Sequence, residues 1–283
     1  MLASVPTGAS GTALIYGPWV VSSSDPDRAF QLALSSLIDR ARELSISLLQ
    51  RLDSRGQDGS AARVAENVTR ALVAATVPLY EAAVQSLVER QTSLAGYGLM
   101  RTLIDTWSHL DFIGSGSDRQ CRAIRVSLGV QQQAHGALLE GDGVPNQLVE
   151  ASARRIEIAR RQFTELGCSG SSRSVGDVIG SLKDLRAANT SLRWLPEAYR
   201  QSSQVLHGWA FDWLLERDAE NRLQWRLPTD QERVAWLNHL VITFFGVGDS
   251  ALQVVGLDEE RRSFEDEVMH LLGADLFKAI PQG

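Results

Sequence analysis

Apolar residues recur every three or four positions along most of this chain, and that spacing constrains its fold more than any other feature. Residue 27 begins the clearest run, in which one helical face collects Phe30, Leu34, Leu37, Ile38, Leu44, Leu48 and Leu49. Further runs predict helices at about residues 62–92, 93–113, 118–140, 146–166, 177–187, 192–206, 229–256 and 258–278. We therefore expect an all-α helical bundle, with long antiparallel helices and shorter helices packed beside them.

Glycine-rich and serine-rich segments separate these helices. Residues 54–63 (SRGQDGSAAR) and 114–117 (GSGS) predict loops, and CSGSSRSVG at 168–176 predicts a flexible surface loop. The stretch RDAENRLQWRLP at 217–228 combines alternation with turn residues, which favours a small hairpin. The chain then divides into an extended N-terminal arm at 1–26 and a single helical domain at 27–283.

Two apolar stretches need separate interpretation. The start, MLASVPTGASGTALIYGPWV, lacks the basic region of a signal peptide, and glycine and proline interrupt it. The stretch at 236–257 contains Asn238, His239 and Asp249, each of which is costly at the centre of a bilayer. We expect a buried helix there and no membrane span.

Composition excludes several classes of protein. The formal net charge of −6 over 283 residues argues against a protein that coats DNA without sequence preference. Glycine-rich nucleotide-binding motifs are absent from the sequence, so no cofactor is predicted. Cys121 and Cys168 form no CxxC pair or Cys/His cluster, so neither a zinc site nor a disulfide framework is predicted. The cytoplasm is the default location.

The stretch YRQSSQVLHG at 199–208 is the strongest candidate for chemistry. Seven positions on a helix bring His207 to within about 20° of Arg200, two turns further along the same face. Ser203 and Gln204 lie between them on that side. The same pattern also fits a histidine that only caps the end of a packed helix, where a cation is favourable.

A second polar line occurs on the predicted helix at 93–113. In GLMRTLIDTWSHLDFI, Arg101, Asp105 and His109 follow one another at four-residue intervals on an otherwise apolar helix. The plainer interpretation is an ion pair within the helix between Arg101 and Asp105. The alternative is that Asp105 accepts from His207 or Arg200 across the bundle and orients it, as a carboxylate orients a catalytic histidine. We expect Arg101 and Asp105 to lie in the interior, near residues 199–207.

These two stretches carry a family resemblance. Arg200 and His207, with six residues between them, resemble the Arg-Xaa4-6-His motif of the HEPN superfamily of helical proteins, many of which are metal-independent ribonucleases. MRTLIDTW and YRQSSQVLHG together are similar to uncharacterised bacterial helical proteins with an early arginine and acidic residue and a later Tyr/Ser/His signature. The resemblance covers residues 66–250, approximately.

The resemblance implies a metal-independent endoribonuclease of a bacterial defence or toxin–antitoxin system. RNA would be its substrate, and its partners would be a second copy of the chain, in a homodimer, and an antitoxin or other partner protein. Histidine suits proton abstraction from the 2′-OH, and arginine suits the developing phosphorane charge. The implied catalytic pair is Arg200 and His207, and the supporting residues are Arg101, Asp105, Tyr199, Ser203 and Gln204.

Two alternatives use the same residues without catalysis. The polar stripe would hold a partner protein, a nucleotide or another phosphate ligand in a binding module, or it would be buried and structural in a helical scaffold. Gln201, where HEPN nucleases often have Asn, Asp or His, and the acidic total charge favour these alternatives.

Three further features each have a structural interpretation, on the surface or in the core, and a functional one. The helix RRIEIARRQ at 154–162 would guide RNA or form a solvated face. Trp209 and Trp213 would stack a base or pack in the core. The spacing of His135, His239 and His270 predicts no metal site.

Overall fold

The computed structural model describes residues 26–53, 64–188, 192–207, 215–217 and 219–272, and most of these residues are helical. Its nine described helices are α1 (Pro26–Asp53), α2 (Val64–Ser86), α3 (Ser93–Gly114), α4 (Arg119–Glu140), α5 (Asn146–Glu165), α6 (Val175–Ala188), α7 (Leu195–Leu206), α8 (Asp230–Val255) and α9 (Asp258–His270). The all-α prediction is confirmed. Helix α2 ends at Ser86, well before the predicted end near residue 92.

The predicted hairpin is present and short. Strand β1 (Leu215–Arg217) pairs in antiparallel register with strand β2 (Leu223–Trp225), and no further strand occurs in the described residues. Asn221 between the strands has a φ of 62°, a conformation that asparagine tolerates better than most residues. The hairpin therefore begins two residues before the predicted stretch at 217–228.

Helix α3 lies at the centre of the bundle, in contact with α2, α7 and α8. Tyr80 stacks on Phe244 with ring centroids 3.9 Å apart, and Tyr97 stacks on Trp236 at 4.8 Å. Burying one large apolar side chain stabilises a fold by about 1.5–3 kcal/mol, so these pairs fix α2 and α3 against α8. The main cluster of buried apolar side chains draws on every described helix except α4 and α5.

Local signals explain where the helices begin and end. Asp118 accepts from the backbone N–H of Cys121 and caps the start of α4. Thr229 and Glu232 form a reciprocal capping box at the start of α8. Gly256 ends α8 with a φ of 75°, in the left-handed region that favours glycine. Helix α2 continues through Pro78.

A disulfide bond joins Cys121, near the start of α4, to Cys168, just after α5. The prediction of no disulfide framework was wrong, because helices α4 and α5 pack together and bring two cysteines 47 residues apart to a Cα–Cα distance of 5.4 Å. Spacing along the sequence gives no sign of this approach. Disulfides persist mainly in oxidising compartments. The bond therefore argues against the cytoplasmic default, which stays a prediction.

None of the described helices is long and apolar enough to cross a membrane. The apolar stretch predicted to be a buried helix begins within α8, where Leu240, Phe244 and Val247 are fully buried. Residues 1–25 of the predicted N-terminal arm at 1–26, the loop at 54–63 and the last residues, 273–283, lie outside the described residues, and Pro26 is the first residue of α1.

Candidate active site

A cavity of about 740 Å³ lies beside helix α3. Its walls are residues 72–79 of α2, 101–109 of α3, 129–133 of α4, the segment 172–174 that precedes α6, and Leu206 and His207 at the end of α7. Apolar side chains line the α2 wall, and the polar line of α3 faces them. This volume is within the range of about 300–1,000 Å³ that is typical of small-molecule sites.

Arg101 and His207 meet at one end of this cavity. Nη1 of Arg101 lies 2.8 Å from Nε2 of His207, as the predicted proximity of these segments requires. Arginine has only donors, so His207 Nε2 must accept, which requires a neutral imidazole with its proton on Nδ1. Arg101 also lies 5.5 Å from the Tyr199 ring centre, in a cation–π contact. The arrangement is a guanidinium that donates to a neutral imidazole at one end of the cavity.

The close packing of α7 against α3 brings these residues together. A Cβ atom built on Gly98 would lie 3.1 Å from Cγ1 of Val205, so glycine permits the close approach of the two helices. Buried Ser202 donates to the backbone carbonyl of Ala198, so its own hydroxyl is paired within this interface. Helix α7 ends at Leu206, which places His207 at the C-cap with its side chain exposed.

Asp105 and Tyr199 complete this end of the site. Asp105 Oδ2 lies 3.9 Å from Arg101 Nε, so the ion pair within the helix is present. Burial raises the pKa of Asp105, and the Arg101 charge partly offsets the rise. Burial, followed by the negative charge of Asp105, raises the pKa of Tyr199. The Tyr199 hydroxyl is buried and lies close enough to Asp105 and Arg101 for both charges to act on it.

The structure shows the plainer of the two interpretations of Asp105, the ion pair within the helix. Arg101, rather than Asp105, contacts His207. No hydrogen bond joins Asp105 to Arg200 or His207 within the described part of the chain.

Arg200 lies outside the cavity. Its side chain is 57% exposed and forms two hydrogen bonds to Glu197, from Nε at 2.9 Å and from Nη2 at 2.5 Å. Gln201 also donates to Glu197 and accepts from the Tyr97 hydroxyl. The structure therefore does not bring Arg200 to His207, because the exposed carboxylate one turn earlier holds its guanidinium.

The two remaining residues of the predicted polar stripe are Ser203 and Gln204. Ser203 donates its hydroxyl to the backbone carbonyl of Tyr199 at 2.7 Å, and Gln204 is half-buried. Neither is part of the cavity wall. Of the predicted site residues, the structure gathers Arg101, Asp105, Tyr199 and His207.

The other end of the cavity contains Arg173 and His109. Arg173 Nε donates to His109 Nδ1 at 3.1 Å, and Arg173 Nη2 donates to the Ser108 and Ser181 hydroxyls at 2.7 and 2.6 Å. Burial, followed by the Arg173 charge, lowers the pKa of His109 to about 4, so its ring is neutral near pH 7.

Arg173 was missed at the sequence level. The prediction of a flexible surface loop at 168–176 was wrong at this residue, which is only 6% exposed. Serine and glycine neighbours indicate a loop correctly, and the only available signal was the single arginine among them.

Other predicted features have ordinary surroundings. Arg154 and Arg161 on α5 are exposed and form ion pairs with Glu150 and Glu157, which favours a solvated helix face. His239 stacks on Trp194 at 4.2 Å, and burial lowers its pKa to about 4. Trp209 and Trp213 lie outside the described residues. The described residues contain no group of three or more side chains suited to a metal ion.

Comparisons of the chain with protein-family models, with curated proteins and with solved structures gave no match. The chemistry of the site must therefore be argued from its geometry.

Proposed function

We propose that this chain is a metal-independent endoribonuclease in which His207 is the general base and Arg101 binds the reacting phosphate. The contact of 2.8 Å between Arg101 Nη1 and His207 Nε2 at a ligand-sized cavity is the observation that supports this most directly. The resemblance to uncharacterised bacterial helical proteins adds to it, since the early arginine and acidic residue lie beside the later tyrosine and histidine.

The proposed reaction begins when a phosphodiester of the substrate binds to the Arg101 guanidinium. The planar guanidinium fork suits two phosphate oxygens, and its transfer to the substrate removes the hydrogen bond from Arg101 to His207 Nε2. His207 then accepts the proton of the 2′-OH, whose oxygen attacks phosphorus. The 5′-oxygen leaves and takes a proton from Asp105 or from water, which gives a 2′,3′-cyclic phosphate and a 5′-OH.

Burial raises the pKa of the Asp105 carboxyl group, and this favours the protonated form that an acid needs once Arg101 has moved to the phosphate. Arg101 supplies the cation in this proposal, in place of Arg200, because Arg200 is exposed and bound to Glu197. A homodimer, a role in bacterial defence or as a toxin, and an antitoxin partner rest on the resemblance alone.

A second candidate is noncatalytic binding of a small phosphate-bearing molecule in the same cavity. The apolar α2 wall opposite the polar line of α3 favours it, because ligand sites combine apolar walls with a few polar groups. In this case the protein would bind nucleotides or related phosphates without cleaving RNA.

The test is cleavage of mixed-sequence single-stranded RNA by purified protein in the presence of a chelator. Wild type should leave 2′,3′-cyclic phosphate ends and spare DNA, which lacks the 2′-OH. His207→Ala should lose about 10²- to 10⁴-fold in rate, as is typical when a general base is removed. Each variant needs a folding check by circular dichroism.

Arg101→Met and Arg200→Met form a matched pair in this assay. Our proposal expects a large loss of rate for Arg101→Met and a wild-type rate for Arg200→Met. The opposite pattern would restore the pair expected from the sequence. A folded wild type that is inert toward varied RNAs would contradict the nuclease and leave the binding candidate.

A further inference from the structure

Arg173 is a buried guanidinium without a carboxylate partner. Its side chain is 6% exposed, and no Asp or Glu oxygen of the described residues lies within ion-pair distance of it. Its hydrogen-bond acceptors are the Ser108 carbonyl, two serine hydroxyls and His109 Nδ1, all of which are neutral. A buried charge with only neutral partners is costly, and a bound anion would compensate it.

The nearby carboxylates do not neutralise this charge directly. Asp177 is exposed and accepts from the backbone N–H and the hydroxyl of Ser174. Burial raises the pKa of Asp111, and the Arg173 charge partly offsets the rise, but the two side chains do not form an ion pair. Two further guanidinium groups add positive potential, because Arg122 and Arg125 lie 4.7 and 5.2 Å from the Phe112 ring centre that Arg173 approaches to 4.3 Å.

Two donors at this end of the cavity lack partners among the described residues. Arg173 Nη1 makes no hydrogen bond there, although Nε and Nη2 are fully used. His109 accepts at Nδ1, so its neutral ring carries the proton on Nε2, for which the described residues again offer no acceptor. Both residues line the cavity.

The backbone around Arg173 holds these donors in place. Arg173 N donates to the Arg125 carbonyl at 3.0 Å, and Arg125 Nε donates to the Ser171 carbonyl at 2.6 Å. Gly129 of α4 lies against the Arg173 carbonyl, where a Cβ atom would overlap it. The disulfide at Cys168 ties the start of the same segment to α4. The donors are therefore preorganised, as a binding site requires.

We infer that the Arg173–His109 end of the cavity is a second anion site, which binds a phosphate group separately from Arg101 and His207. Arg101 and His109 are eight residues apart on α3, which corresponds to about 12 Å along the helix axis. This separation favours two phosphate positions over a single shared one. The ligand carries two phosphate groups, or two molecules bind, and the site exists whether or not RNA is cleaved.

The experiment titrates inorganic phosphate into the folded protein at constant ionic strength, with thermal unfolding as the readout. Arg101→Met should keep a phosphate-dependent rise in melting temperature that comes from the Arg173 end alone. Adding Arg173→Met should remove that rise or weaken phosphate binding by at least about tenfold, the effect of losing a charge-assisted hydrogen bond. Arg200→Met is the matched control and should leave the phosphate effect unchanged.

A second measurement covers the case in which Arg173→Met fails to fold. Wild-type protein with ¹⁵N-labelled arginine should show one buried guanidinium signal that shifts and saturates with phosphate, and Arg173→Lys should lack it. No saturable shift, or an unchanged phosphate effect in folded Arg173→Met, would overturn the site.

Two further measurements separate a phosphate site from a general anion site and from the nuclease proposal. Acetate should stabilise the protein much less than phosphate does, and an equal effect of acetate would overturn the assignment to phosphate. His207→Ala should slow RNA cleavage by about 10²- to 10⁴-fold and retain the phosphate effect, so the nuclease and the anion site fail or survive separately.

Discussion

Arg173 and Arg233 are both buried arginines, but their surroundings differ in the one partner that a buried charge needs most. Arg233 is 0% exposed and binds Asp230 Oδ1 at 3.0 Å, while its other nitrogens donate to the carbonyls of Leu87 and Val88 and to Gln31. Arg173 has only neutral acceptors and faces a cavity. Arg233 is therefore paired within the fold, whereas Arg173 is accessible to a ligand in the cavity.

The difference separates a structural charge from a binding charge. Arg233 satisfies the carbonyls that follow α2 and joins them to α8 and α1, so its partners are complete within the chain. Arg173 has a nitrogen to spare in a space large enough for a ligand. Burial alone does not distinguish the two; the presence of a carboxylate and of a cavity does.

The largest expected effect on stability comes from substituting Arg233, because the substitution removes all of its side-chain hydrogen bonds at once. Arg233→Met leaves the Leu87 and Val88 carbonyls without their side-chain donor and removes one of the two arginine partners of Asp230. It should lower the free energy of unfolding by about 2–5 kcal/mol, at roughly 1–3 kcal/mol for each unsatisfied group. Arg173→Met in phosphate-free buffer should cost less than half as much, because it also removes an uncompensated charge. Urea unfolding of both variants measures this. Equal losses would mean that Arg173 is as structural as Arg233.

A smaller loss of stability should follow from a substitution that displaces the Arg173 backbone and leaves its side chain unchanged. Gly129→Ala would place a Cβ atom on the Arg173 carbonyl, and such overpacking costs about 1–3 kcal/mol. Gly136→Ala in the same helix meets no atom within 4 Å, so it should be neutral or stabilise by up to about 1 kcal/mol.

Urea unfolding and phosphate titration of this glycine pair sharpen the comparison. Gly129→Ala should also weaken phosphate binding, whereas Gly136→Ala should not. A Gly129→Ala variant with wild-type stability and wild-type phosphate binding would show that the segment can move away without consequence.

The smallest expected effect is a dependence of the folding stability on pH, which arises from His109, the hydrogen-bond partner of Arg173. Burial lowers the pKa of His109 to about 4 from 6.5, so the unfolded chain binds a proton below pH 6.5 that the folded chain refuses. Stability should therefore fall as pH drops from 6.5 towards 4, by at most about 1.4 kcal/mol per pH unit for this histidine. His109→Gln keeps an acceptor for Arg173 and should flatten this slope.

His239→Gln is the comparison variant, because burial lowers that pKa to about 4 as well, away from Arg173. Unfolding free energies at several pH values should give similar flattening in both variants. Only His109→Gln should change phosphate binding. A His109→Gln protein with the full wild-type slope would show that His109 is already protonated in the fold.

Much of the fold followed from periodicity, because helices with one buried face repeat their apolar residues at three and four. The Arg101–Asp105–His109 line was visible for the same reason, since a polar line on an apolar helix interrupts that repeat. The proximity of Arg101 and His207 was predicted and is present. The catalytic roles of these residues stay predictions.

The features that sequence reasoning missed depend on contacts between distant segments. Arg200 shares a helical face with His207 in sequence, but Glu197 holds its side chain and α7 ends before His207. Arg173 reaches the interior because the segment after α5 packs against Gly129 of α4. Neither effect has a period or a motif that a single sequence displays.

The bond between Cys121 and Cys168 makes a closed covalent ring of the chain from one cysteine to the other. A protease that cuts the turn at 141–145, between α4 and α5, would open this ring without releasing a fragment. The two pieces would migrate as one molecule on a non-reducing gel and separate after reduction. The segment that carries Arg173 would thus remain joined to α4 by a second covalent route, even in a chain whose backbone has been cut.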